Sequence, residues 1–303
     1  MTNQKETTMT EYKTSKGLEQ AVLEAARRSG RPIQKVQEEF WRNRLLARIF
    51  HEQDSSFVLK GGTSMLARIP NARRTRDIDI ATDEEDSDFA INEIVALSKT
   101  DLHDFCRFDL LSVKPIQEEA VYRRGARLKF SLHIGTKSAP PVSVDLVFGC
   151  SPTAPIERIK PRNIEGFPFS ELEYPLYPLV DHAADKVCAI METHRGGQPS
   201  SRVKDLVDLC VIACNETLGL KSFGAALFSE SKIRKIYPLE EFSVPEEWND
   251  NKMIYRNIAK EVVLDDRYHD QEVAINLVKL FVNPALANSV PNLNWNPTAK
   301  IWK

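Results

Sequence analysis

The sequence predicts an α/β fold, a mixed sheet flanked by helices, followed by a helical C-terminal domain. Three observations predict it. Strand-length apolar runs and segments of helical spacing alternate up to Phe148. A proline-rich stretch with little periodicity, Cys150 to Pro178, then interrupts the pattern. Beyond it the clearly periodic segments are helical.

Leu18 to Arg28 and Ile33 to Phe50 carry apolar residues at helical spacing, and Pro32 suits the first turn of the second helix. Phe57 to Lys60 reads as a short strand, Gly61-Gly62 as a tight turn and Thr63 to Arg68 as the start of a helix. Asp77-Ile78-Asp79-Ile80 alternates as a strand does, with acids on one face and isoleucines on the other. Asp86 to Ser98 returns to helical spacing, and Phe105 to Val113, Ala126 to Ile134 and Val142 to Phe148 read as further strands. After the connection, Leu179 to Thr193, Arg202 to Cys214 and Gln271 to Val282 are helical, with weaker patterns at Phe223 to Phe228 and Met253 to Val263. The expected organisation is therefore N-terminal helices over 1–55, a catalytic α/β domain over 56–170, a helical domain over 171–285 and an irregular, proline-containing tail over 286–303.

A chain of 303 residues with 42% hydrophobic and 28% charged content falls within ordinary globular composition, which excludes a disordered or membrane-embedded protein. Neither a secretory apolar core at the start nor a run long enough to span a bilayer is present, so a cytoplasmic protein without membrane partners is expected. Five cysteines without paired spacing read as reduced core residues. A net charge of −2 argues against a generally basic coat for nucleic acid. Basic clusters remain at Arg73, Arg74 and Arg76, at Arg123, Arg124, Arg127 and Lys129, and at Arg195, Arg202 and Lys204, each flanking a segment with candidate chemistry.

Asp77 and Asp79, two apart in a strand, project from one face and can hold a divalent cation between them. Few carboxylates and open coordination positions suit magnesium, with manganese as a substitute. Upstream, Lys60-Gly61-Gly62-Thr63-Ser64 sits between strand and helix. Its glycines permit close backbone approach to phosphate, while helix-start amides and the Thr63 and Ser64 hydroxyls can donate to it. Asp145, alternating with apolar neighbours, is a third acid that metal binding beside the pair would compensate; a salt bridge to an arginine is the other reading. Lys186 can meet phosphate as a point charge, and Asp205 and Asp208, at i and i+3, can position it or a substrate hydroxyl. Spacing does not rank these two acids, and His182 and His194 receive no role.

The ordered set of Lys60-Gly61-Gly62-Thr63-Ser64, Arg74-Thr75-Arg76-Asp77-Ile78-Asp79, Lys186-Val187-Cys188-Ala189 and Arg202-Val203-Lys204-Asp205-Leu206-Val207-Asp208-Leu209 resembles the signature of the AbiEii/AbiGii toxin family of nucleotidyltransferases, within the DNA polymerase β superfamily. Thr63-Ser64 stands where the stricter superfamily pattern has Gly-Ser, and the spacing to Asp77 is longer than in compact members. The resemblance implies a nucleotidyltransferase-type sheet, a nucleoside triphosphate substrate, and magnesium on Asp77 and Asp79. It also implies a toxin–antitoxin role in which nucleotides are added to the 3′ end of tRNA, blocking translation, with an antitoxin protein as partner. The basic clusters are compatible with gripping an acceptor stem. Two other readings stay open: nucleotidylation of an aminoglycoside-like small molecule or a protein hydroxyl, and an inactive domain that binds RNA or protein.

Overall fold

The computed structural model describes residues 12–52, 55–70, 72–75, 77–116, 124–162, 168–169, 172–287 and 291–303. Of the basic residues singled out above, Arg76 and Arg123 lie outside these, as does the side chain of Arg195. Two helices open the described chain, α1 (Ser15–Arg28) and α2 (Ile33–Ile49). The Thr14 hydroxyl accepts from the Gly17 amide at 3.1 Å and caps α1.

The strand and helix that follow are β1 (Phe57–Lys60) and α3 (Gly61–Arg68), with the helix starting at Gly61 itself. Next come β2 (Ile78–Thr82), α4 (Ser87–Ser98), β3 (Cys106–Pro115), β4 (Gly125–Ile134) and β5 (Lys137–Val147). Strand β5 begins five residues before the expected Val142. Pro140 and Pro141 hide it from a sequence reading. They fit because the β4–β5 register shifts between Phe130 and Leu132, a bulge at which ladder bonding is interrupted.

The proline-rich connection is not aperiodic coil throughout. It contributes β6 (Glu157–Ile159) and β7 (Tyr174–Leu176), which complete a seven-stranded mixed sheet of order β3-β4-β5-β2-β1-β7-β6. Leu176 pairs with Leu59 of β1, so the sheet extends beyond residue 170. Three-residue strands are too short to show alternation, which is why the spacing missed them.

The second half is helical: α5 (Leu179–Met191), α6 (Val203–Asn215), α7 (Leu220–Ile233), α8 (Lys252–Ala259) and α9 (Gln271–Val282). The last residues are not the expected irregular tail. Strands β8 (Trp295–Asn296) and β9 (Ile301–Trp302) form a hairpin. Trp295 is buried and donates its indole N–H to the Ala213 carbonyl at 2.8 Å, while Trp302 stacks on Phe281. Two aromatic anchors order this segment, and no periodic stretch is long enough to show it.

Strand alternation divides the molecule. Phe57, Leu59, Ile78, Ile80, Val144 and Leu146 point into a core shared with α1, α2 and α4. A second core joins α5 to α9 and takes Met65 and Leu66 from α3 and Ile69 just beyond it. Helix α3 thus belongs to both halves, since its Ala67 packs in the sheet core. Between the two cores lies the other sheet face, and there the charged residues of β1, β2 and β5 are found.

Candidate active site

Register across four strands builds the site's floor. Lys60 of β1 pairs with Asp79 of β2, Asp79 with Asp145 of β5, and Asp145 with Arg127 of β4. Side chains directly opposite in neighbouring strands share a face, so these four form one transverse row with charges in the order plus, minus, minus, plus. Arg127 binds Asp145 through both carboxylate oxygens, each at 2.6 Å. Of the two readings of Asp145, the arginine bridge is therefore present, while the strand register also sets this carboxylate beside Asp79. Lys60 lies 4.8 Å from the Tyr177 ring centroid and 3.5 Å from Asp185.

Burial together with the charges of Asp145 and Asp77 pushes the Asp79 carboxyl up to about 6, against the smaller opposing pull of Lys60 and Lys186. Asp77 precedes β2 and is exposed. Its backbone is held by two hydroxyls, Thr63 Oγ1 at 3.0 Å and Thr75 Oγ1 at 3.3 Å, both donating to its carbonyl.

The loop glycines are fixed by close approach. Gly61 has φ +60°, and a Cβ there would lie 1.9 Å from Asp79 Oδ2. A Cβ on Gly62 would lie 2.8 Å from Thr75 Cβ. Both glycines line the cleft, whereas Thr63 and Ser64 do not. The Thr63 hydroxyl is spent on Asp77, and Ser64 is fully buried with its hydroxyl lacking a hydrogen-bond partner among the described residues. The donors that the loop offers the cleft are its backbone amides and Lys60, not the two hydroxyls expected from sequence.

Facing this floor, α5 carries Lys186, buried, with Nζ 2.8 Å from Asp205 and 2.7 Å from Asp208. Burial alone would lower its pKa, but the two carboxylates raise it above the ordinary lysine value, so the ammonium stays charged. The two acids are now distinguishable. Asp205 also takes Arg202 Nε at 2.5 Å, and although burial opposes its charge, Lys186 and Arg202 bring its carboxyl down to about 2. Asp208 has Lys186 and, more loosely, Arg73 at 3.5 Å. Two of the three Lys186 donors are committed, leaving one.

Floor and wall enclose a polar cleft of about 710 Å³, within the usual range of small-ligand sites. Arg73, Arg74, Arg202 and Lys204 line it, so two of the basic clusters meet there. Of the described residues of the remaining cluster only Arg127 does; Arg124 instead donates to the Glu85 carbonyl at 2.7 Å. His182 and His194 also border the cleft. Burial first, then Lys186, holds the His182 pKa well below the usual histidine range, so its imidazole is neutral.

Sequence reasoning missed an ion network under this wall. Arg234, at the end of α7, donates to Glu230 at 2.6 Å, to Glu192 at 2.5 Å and to Asp185 at 2.5 Å, and Asp185 reaches Lys60. Only the Glu230–Arg234 pair, four apart on one helix, was legible from spacing.

Among the described residues no three carboxylate, imidazole or thiol groups converge into a closed cation cage. The donor chemistry nevertheless fits a magnesium ion. Asp79, with Asp77 and Asp145 beside it, keeps a strongly raised pKa because Lys60 and Lys186 offset its burial and the neighbouring charges only in part. A hard cation fills that deficit, and magnesium takes few protein carboxylates. Asp77 and Asp79 are the residues that would hold it, with Asp145 beside them and engaged by Arg127.

A mixed sheet with adjacent acids at its switch in strand direction, a glycine loop and a lysine-bearing helical wall defines a nucleotidyltransferase. The chain belongs to the AbiEii family, described as "Nucleotidyl transferase AbiEii toxin, Type IV TA system", whose family model matches residues 44–276. It is thus an enzyme of a toxin–antitoxin system. Among solved structures it is similar to JHP933 from Helicobacter pylori, at 13% identity and TM-score 0.46, covering 84% of this chain and 93% of that one. It is also similar to a candidate nucleotidyltransferase from H. pylori, at 12% identity and TM-score 0.47, covering 84% and 96%. No curated protein sequence matches it significantly. No helix among the described residues is long and apolar enough to cross a membrane.

Proposed function

We propose that the protein transfers a nucleotide from a nucleoside triphosphate to the 3′ end of tRNA, and so stops translation until its antitoxin partner neutralises it. The observation that carries the reading is the opposition, across one cleft, of the Asp79–Asp145 row and the Lys186–Asp205–Asp208 cluster. The triphosphate lies against the Gly61-Gly62 backbone, with Lys60, Lys186, Arg202 and Lys204 matching its negative charge. Magnesium, when bound by Asp77 and Asp79, supplies neutralisation of the phosphates and lowers the pKa of the acceptor hydroxyl. Lys186 keeps a fixed position because its carboxylate partners hold it, so its charge stabilises the transferring phosphate without reorganisation.

The acceptor oxygen bonds to the α-phosphorus, the bond from that phosphorus to the bridging oxygen breaks, and pyrophosphate leaves. Incubating the protein with total tRNA, magnesium and each labelled nucleoside triphosphate tests the reading, with Asp79→Ala as control. Label at tRNA 3′ ends from the native protein alone supports it. Pyrophosphate release without RNA labelling assigns the enzyme a small-molecule or protein acceptor instead.

A further inference from the structure

The cleft just described is not the end of the site. A second cleft of about 700 Å³ lies between α2 and the Pro140-Pro141 stretch of β5. The two clefts share Arg74, Thr75 and Asp77, so they meet at one of the two acids placed at the metal position. Asp79, Asp145 and Lys186 line only the first, and Lys35 and Arg42 only the second.

Lys35, Glu38 and Arg42 fall at i, i+3 and i+7 on α2 and therefore share one face of that helix. The charges on this face are not equally engaged. Glu39 is already bridged by Arg31. The side chains of Lys35, Arg42 and Arg74 form no hydrogen bond or ion pair among the described residues, although Arg42 is only partly exposed and feels the charges of Glu39, Glu38 and Asp77 at longer range. A partly buried guanidinium such as that of Arg42, without a bridging carboxylate, gains from an arriving anion, and with the exposed Lys35 and Arg74 it makes a line of three cations along the groove to Asp77. Seven helical residues separate Lys35 from Arg42, roughly 10 Å of groove at 1.5 Å per residue. That is room for more than one phosphate. The opposite wall, Pro140 and Pro141, donates no backbone hydrogen bond and presents a rigid apolar surface.

Direction of attack gives the second cleft a purpose. In an in-line displacement the attacking and leaving oxygens stand on opposite sides of the phosphorus. The first cleft holds the glycine loop and the cations suited to triphosphate, so the acceptor has to reach the phosphorus from beyond Asp77.

We propose that the second cleft receives the acceptor, a polynucleotide 3′ end in single-stranded form, its phosphodiesters held by Lys35, Arg42 and Arg74 and its terminal hydroxyl delivered at Asp77. The hydroxyl oxygen forms the new bond to the α-phosphorus, pyrophosphate departs with the electron pair of the broken bond, and the hydroxyl proton passes to solvent. This placement rests on the nucleotidyl-transfer reading above and assigns that reaction its acceptor path.

The test uses the full chain, native and with Lys35→Glu and Arg42→Glu combined, and reads two independent quantities. Anisotropy of a labelled single-stranded oligoribonucleotide, over a range of salt, reports the groove directly and needs no turnover. Binding of a labelled nucleoside triphosphate with magnesium reports the first cleft. The expected result is at least tenfold weaker oligonucleotide binding, a salt slope shallower by about 1.4 for two lost phosphate contacts, and triphosphate affinity within about twofold of native. A milder pair, Lys35→Gln with Arg42→Gln, reproduces the direction and guards against misfolding of the charge reversal. Unchanged oligonucleotide affinity in both variants, or no oligonucleotide binding by the native protein, overturns the proposal. Failure of the transfer reading has a different signature. The native protein would then bind the oligonucleotide, and lose it on substitution, yet extend no RNA with any nucleotide. Native labelling of tRNA that both variants retain in full would sink the acceptor path alone and leave the reaction standing.

Discussion

Asp79 and Asp145 are register partners on neighbouring parallel strands, which sets two carboxylates side by side on the sheet face that looks into the cleft. Arg127 neutralises one of them through two hydrogen bonds, and the other is left with a carboxyl raised to about 6. A site built this way destabilises its own resting state and would be relieved by a bound cation.

The sign of that effect can be measured. The folded value of Asp79 lies above the unfolded one, so the group costs stability, fully above about pH 6 and vanishing as pH falls below the ordinary aspartate value of 3.8. The cost is on the order of 2–3 kcal/mol at neutral pH. Asp79→Asn should therefore raise the thermal midpoint by several degrees in chelator at pH 7.5 and have little effect at pH 4. Magnesium should stabilise the native protein and leave the variant nearly unmoved. A variant less stable than native in chelator would show that Asp79 is not electrostatically strained.

Gly61 gives a sharper steric case. With φ +60° and a Cβ position 1.9 Å from Asp79 Oδ2, Gly61→Ala has to displace the carboxylate or the loop. The left-handed backbone alone costs roughly 1–2 kcal/mol. We expect a folded protein whose midpoint falls by a few degrees and whose transfer rate falls at least a hundredfold, about 2.7 kcal/mol in the barrier. Calorimetry beside the tRNA labelling assay checks both; a variant of near-native rate would mean that the loop does not need this approach.

The acids on α6 are expected to differ. Removing either leaves Lys186 buried with one carboxylate, but Asp205→Asn also strips Arg202 of its partner. Breaking one side of a buried ion pair typically costs about 3–5 kcal/mol. Asp205→Asn should therefore destabilise more than Asp208→Asn, whose second cation, Arg73, is 3.5 Å away. Urea unfolding of the two variants decides it, and equal midpoints would refute the ranking.

How far this could be read from sequence depended on the range of each interaction. The Asp77–Asp79 alternation, the glycine loop and the i, i+3 acids of α6 are local patterns; Asp205 and Asp208 share one helix, Asp79 lies in β2, but Asp77 falls one residue before that strand and α3 already begins at Gly61. The chain of charges from Arg127 to Lys60 needs the strand order and register, which periodicity does not contain. Thr63 and Ser64 carried the right chemistry for phosphate, yet one hydroxyl is spent on Asp77 and the other is buried, because the turn of α3 that aims a side chain is set by packing against both cores. Arg234 and Asp185, 49 residues apart, offered no spacing to read.

Far from the cleft, Asp104 is fully buried between Arg44 Nε at 2.6 Å and Arg48 Nη2 at 2.7 Å, tying α2 to the start of β3. Burial opposes its charge, but hydrogen bonds and attraction from the two arginines hold its carboxyl below the ordinary aspartate value. Because the folded value is the lower one, its stabilisation is present above the unfolded pKa of about 3.9 and is lost as pH falls through the folded value. Asp104→Ala leaves two buried guanidiniums without their carboxylate and should cost about 3–5 kcal/mol. Asp104→Asn, which keeps one acceptor oxygen, should cost less and flatten the loss of stability on acidification. Neither change touches a cleft residue, so whatever fraction of each variant remains folded should bind labelled nucleoside triphosphate as tightly as the native protein. Weakened triphosphate binding by the folded fraction would mean that this network reaches the triphosphate cleft through α2.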